Sequence, residues 1–163
     1  MKNDMRITYP LWMMCFLLLI AATVYLVGTT AVVEENGTDG VTFMLNMESK
    51  LIPFFSLFVL LIGSVITFII KILKHNRIYP HKKFPLFYLK PPEYIDDDEL
   101  FQQATGLATK KVYTFFISAI PILAMLYIVL PIGKMWMIIG LMFLGVMQYL
   151  IYYMEIKKYV AEE

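Results

Sequence analysis

The sequence predicts an all-α integral membrane protein with four transmembrane helices. Three observations predict it: four apolar stretches free of charged side chains, a one-sided distribution of lysine and arginine, and aromatic residues at the ends of the stretches. Of 163 residues 60% are hydrophobic and the mean hydropathy is +0.68, whereas a soluble domain is about 45–50% apolar. Formal net charge is only +1, which gives no surface suited to nucleic acid.

The stretches are residues 11–33, 51–70, 112–130 and 135–154. Hydrocarbon about 30 Å thick asks for about 20 apolar residues in a helix, and each stretch is of that order. Amides in oil must find partners within their own segment, so each stretch is expected to be helical. Residues 1–163 then form a single membrane domain, two helical hairpins joined by a loop at 71–111. The basic residues 1–6 resemble the start of a signal peptide, but the stretch after them exceeds the roughly 7–15 residues of a signal core. A retained anchor is expected.

Prolines punctuate the spans. Pro53 falls in the first turn of the second helix, where a missing N–H costs little. Pro131-Ile132-Gly133-Lys134 makes a short turn between the third and fourth. Pro121 lies mid-span, removes one backbone bond and crowds the Ile117 carbonyl, which makes it a candidate helix kink. Ser118, Thr114 or a neighbouring helix is the expected partner for that carbonyl.

Twelve cations fall on one side: Lys2, Arg6, Lys71, Lys74, Arg77, Lys82, Lys83, Lys90, Lys110, Lys111, Lys157 and Lys158. The other side has Lys50 and Lys134, with Glu34, Glu35, Asp39 and Glu48. The positive-inside rule places the twelve in the cytoplasm, hence both termini as well, in a multi-pass protein of the cell membrane. Asn36-Gly37-Thr38 is a formal glycosylation sequon on the other side. Tyr9, Trp12, Trp136, Tyr149, Tyr152 and Tyr153 sit where amphipathic rings anchor in the headgroup layer.

The loop at 71–111 holds most of the polar information. Lys74, Arg77, Lys82, Lys83 and Lys90 are candidates for contact with the membrane surface, each cation near anionic lipid contributing about 1 kcal/mol. Phe84, Phe87 and Tyr88 lie beside them. His75 and His81 are six apart around Pro80, match no familiar ligand spacing, and are expected to be solvated. Lys90-Pro91-Pro92 should be extended. After Asp96-Asp97-Asp98-Glu99, the residues Leu100, Phe101, Ala104, Leu107 and Ala108 share one helical face, opposite Gln102, Gln103, Thr105, Thr109 and Lys110. This predicts a cytoplasmic amphipathic helix leading into the third span. Its acids cap the first turn rather than hold a metal, because consecutive acids point around a helix.

Asp97-Asp98-Glu99-Leu100-Phe101, continued through Ala104 and Ala108, resembles small uncharacterised multi-pass membrane proteins of Gram-positive bacteria. In these an acidic run starts a polar helix that enters a span. The resemblance covers about a quarter of the chain and implies no activity.

The stretches carry no Asp, Glu, Lys, Arg or His, the usual marks of proton relays and ion pathways. Thr23, Ser56, Ser64, Thr67, Ser118 and Gln148 are the polar groups, expected to bind helix to helix, and Gly63, Gly140 and Gly145 permit close approach. The lone Cys15 is expected to be a buried thiol. No phosphate loop, nucleophile elbow, paired-histidine zinc motif or cysteine pair occurs, so no catalytic residue, cofactor or metal is expected. The expectation is a non-enzymatic accessory, regulatory or immunity-type subunit acting through a membrane-protein partner or by self-association. The alternative is an oligomeric small transporter or channel component.

Overall fold

The computed structural model describes residues 5–36, 40–45, 50–80 and 99–161. Four helices carry the apolar stretches: α1 (Met5–Thr30), α2 (Leu51–Ile78), α3 (Glu99–Val129) and α4 (Lys134–Ala161). All four are long and apolar enough to cross a membrane. Helices of 26 to 31 residues measure roughly 39 to 46 Å, more than the hydrocarbon requires. Upright helices of that length reach beyond it.

Two strands, β1 (Ala31–Asn36) and β2 (Gly40–Leu45), pair antiparallel between α1 and α2. The first helix consequently stops at Thr30, short of the expected 33. β-Branched Val32, Val33, Val41 and Thr42 favour the extended state, and the register from Ala31↔Leu45 to Asn36↔Gly40 satisfies backbone groups that a loose loop would leave to water. The helical expectation holds for the spans, and the hairpin is added to it.

Other boundaries shift outward. α1 begins at Met5 and contains Pro10. In α2, Phe54 N–H bonds the Lys50 carbonyl at 3.0 Å, with Pro53 in the first turn as anticipated. α2 runs eight residues beyond 70 and ends where Pro80 forces Tyr79 out of the helical region, to φ −120° and ψ 74°. α3 is continuous from Glu99 through Pro121 to Val129. The described helices thus extend into the expected loop from both sides, to Ile78 and from Glu99, and residues 81–98 lie outside the described residues. Between α3 and α4, Ile132 N–H bonds the Leu130 carbonyl at 2.7 Å, and Gly133 accepts from Trp136 and Met137.

Contacts order the helices α2, α1, α4, α3, with α1 packed on both α2 and α4 and α4 on both α1 and α3. Neighbours run antiparallel. Lys50 reaches Thr29 at one end of α1 and α2, while Phe68 meets Trp12 towards the other. Gly28 lies beside Met135 and Gly145 beside Leu17, and Tyr127 bonds Met137 while Lys111 pairs with Glu155. Gly140 and Gly145 are five residues apart, about 140° around a helix, so α4 offers one gap to α3 and another to α1. Gly63 faces open space, and Gly28 is the approach that the sequence did not single out.

The serine and threonine hydroxyls expected to bind helix to helix do not do so. Thr23 donates to Leu19, Ser56 to Pro53, Ser64 to Leu61, Thr67 to Gly63 and Ser118 to Thr114, each on its own helix. In oil this satisfies the hydroxyl without a partner helix. Thr114 donates to Lys110, so neither it nor Ser118 turns to the Ile117 carbonyl. Cys15 is exposed on α1 rather than buried.

Among the residues whose burial is described, most enclosed side chains lie at one end, with Thr30 buried at the other and Leu144 and Val146 between. Ile72, Ala108, Thr105 and Ile156 are completely enclosed, joined by Met5, His75, Ala104, Val112 and Glu155. All lie near the starts of α1 and α3 or the ends of α2 and α4, the end that carries the cations. By contrast Ile52 and Ile128 are more than four-fifths exposed. Water drives apolar surfaces together, whereas lipid gives no such force between helices. Tight packing where the helices outrun the oil, and open apolar flanks elsewhere, follow from that difference.

Candidate functional site at the basic end of the bundle

Two corners build this end. In the first, Phe68, Ile72 and His75 are the buried residues of α2 at helical spacing, and Phe68 and Ile72 pack with Met5 at the start of α1. Phe68 sits among three aromatic rings of α1, with centroids at 6.2 Å to Tyr9, 5.7 Å to Trp12 and 5.4 Å, edge-on, to Phe16. Lys71 lays its ammonium 5.0 Å above the Trp12 ring. Tyr9 and Trp12, expected as interface anchors, are thus packing residues.

His75 is 6% exposed, against the expectation of a solvated side chain. It stacks near Tyr79, centroids 5.1 Å apart, and its Nε2 has no hydrogen-bond partner among the described residues. His81 lies outside them. Among the described residues no group of three His, Cys, Asp or Glu side chains is placed to hold a metal ion.

The second corner joins α3 to α4. Ala104, Thr105, Ala108 and Val112 are buried at helical spacing, and Thr105 satisfies its hydroxyl on the Phe101 and Gln102 carbonyls. Leu107 is exposed instead, so the packed face is rotated from the one expected, with Thr105 in its place. Small residues let α3 come close here. One turn later Lys111 reaches Glu155 Oε2 at 2.6 Å, and Lys158 reaches Oε1 at 2.8 Å. The carboxylate is nearly enclosed, at 11% side-chain exposure, while the two lysine side chains are 54% and 63% exposed. Lys157 stands 6.0 Å from the Tyr153 ring. A buried anion thus holds two exposed cations at fixed points.

Of the residues expected at the membrane surface, Lys74 and Arg77 are exposed on the last two turns of α2, near Lys71. Lys82, Lys83 and Lys90 lie outside the described residues, as do Phe84, Phe87, Tyr88, the Pro91-Pro92 pair and Asp96-Asp97-Asp98. Pro121 is exposed within α3, far along the helix from this end. The Lys111–Glu155–Lys158 cluster was missed by sequence reasoning. Its one legible signal is the i,i+3 spacing of Glu155 and Lys158.

At the opposite end α3 and α4 flank a groove of about 490 Å³, lined by Leu123, Leu126, Leu130, Pro131 and Trp136. Tyr127 also lines it, and its hydroxyl is engaged by the Met137 carbonyl at 2.8 Å. Comparison with protein-family models, with curated proteins and with solved structures gave no match for this chain.

Proposed function

We propose that this chain is a non-enzymatic multi-pass protein of the cell membrane, an accessory, regulatory or immunity-type subunit that acts through a membrane-protein partner. The threading is two helical hairpins, with both termini and the basic end in the cytoplasm, as the cation distribution favours. The segment that starts α3 serves as an amphipathic lead into the third span.

One observation carries this reading. Among the described residues most enclosed side chains gather at the basic end, where they make a packed platform bearing exposed Lys74, Arg77, Lys110 and Lys157. A rigid, charged, water-facing surface suits recognition of another protein. The span hydroxyls named above bond their own helices, which supports a scaffold better than a polar conduit.

Affinity purification of the full chain in mild detergent tests the proposal. A second membrane protein should co-purify, and K74E with R77E should release it. Recovery of the chain alone, or only with copies of itself, contradicts the proposal. Solute flux in proteoliposomes would favour the transporter or channel reading instead.

A further inference from the structure

We infer that the Lys111–Glu155–Lys158 cluster is a binding site for the phosphate of an anionic lipid in the adjacent leaflet, with Glu155 as its positioning residue. The inference rests on the membrane reading of the four helices, not on the partner proposed above.

Depth is the first argument. Lys111 immediately precedes the apolar stretch of α3, and Glu155 immediately follows that of α4. Both therefore stand where hydrocarbon gives way to headgroups. Charge is the second. Glu155 brings one negative charge against two, on Lys111 and Lys158, so the cluster keeps a net positive charge.

Geometry is the third argument. Flexible lysines normally lose entropy when they converge on a ligand. Here the two carboxylate oxygens of one nearly buried side chain fix one ammonium each, at 2.6 and 2.8 Å. Both side chains stay more than half exposed. A phosphate at headgroup depth meets two donors already in place, and the lipid's tails lie along the exposed apolar flank of α3, where Tyr113 and Ile117 are open. A general attraction of basic residues for anionic lipid depends on charge alone. This site depends also on which lysine touches Glu155.

That distinction sets the test. The full-length protein, purified in detergent, is offered an equimolar mixture of phosphatidylglycerol and phosphatidylcholine, and retained lipids are counted by native mass spectrometry. Phosphatidylglycerol should be retained in preference. K111Q should reduce that preference about fivefold, the factor equivalent to about 1 kcal/mol for one cation. K110Q makes the same change of charge one residue away and should leave most of the preference intact. E155Q adds a positive charge to the corner yet should weaken retention, because the lysines lose their anchor. K111R should restore it.

Equal losses in K110Q and K111Q, or tighter retention in E155Q, would overturn the site in favour of diffuse attraction. Displacement by soluble glycerol phosphate as effectively as by lipid would overturn the lipid as occupant. Should E155Q fail to fold, the K110Q and K111Q pair decides alone. A chain that stays in solution without detergent, seen before any lipid is added, would instead defeat the membrane reading.

Discussion

The Tyr127 hydroxyl occupies the space that a β-carbon on Gly140 would need, and from there it donates to the Met137 carbonyl at 2.8 Å. One glycine thus makes room for a phenol to cross from α3 to α4 and bond the backbone of the facing helix. Interhelical hydrogen bonds in membranes contribute about 0.6 kcal/mol on average and up to about 1.7. Y127F should destabilise the protein by about that amount, measured by denaturant unfolding in detergent. G140A should cost more, about 1–2 kcal/mol, since the ring must also move. The double variant should cost less than the sum, because phenylalanine lacks the oxygen that meets the new methyl.

The glycines should separate by location. Gly63 faces open space, so G63A should raise stability by about 0.5–1 kcal/mol through helix propensity. G145L should lower it by more than about 1 kcal/mol, because a β-carbon at 145 already stands 3.0 Å from Leu17 in the α1–α4 seam. Unfolding midpoints of the two variants check both signs.

Lys50 ties the far end of α1 to the start of α2, donating to the Thr29 hydroxyl at 3.0 Å and to its carbonyl at 3.3 Å. A cation on the last carbonyls of a helix is favourable by about 0.3–1 kcal/mol. K50A should therefore lower stability by that amount and speed proteolysis between α1 and α2. K50R should retain most of it.

At the basic end, E155A should cost about 1 kcal/mol, near the upper end for exposed pairs, because the carboxylate is enclosed while both lysines are screened by water. Unfolding at low and at molar salt checks the electrostatic share. The gap between wild type and variant should narrow as salt rises.

The spans were legible because oil imposes one local rule: no charge, and every amide bonded within its segment. That rule reads directly from residues such as 51–70. It says nothing about helix ends in water, where α2 continues to Ile78 with Ile72 and His75 buried. The helix from Glu99 into the third span is legible instead in the helical spacing of Leu100, Phe101, Ala104 and Ala108. The hairpin of Ala31–Asn36 with Gly40–Leu45 went unseen because its valines extended the apolar run of α1. His75 and Leu107 exchanged the environments expected of them, since a buried face depends on which helix lies opposite. The pairing of Lys111 with Glu155 joins residues on different helices, and only the fold brings them together. Hydroxyl partners were mistaken for a simpler reason: Thr23 and Ser64 have a carbonyl one turn back that is always within reach.

Side-specific cysteine labelling measures the threading most directly. In a C15A background, single cysteines replace Glu35, on the hairpin, and Lys157, at the basic end of α4. With an impermeant maleimide applied to intact cells, E35C should label at once and K157C only after the membrane is opened. Labelling of K157C in intact cells, or of both positions alike, would contradict four spans with their cations gathered on the cytoplasmic side.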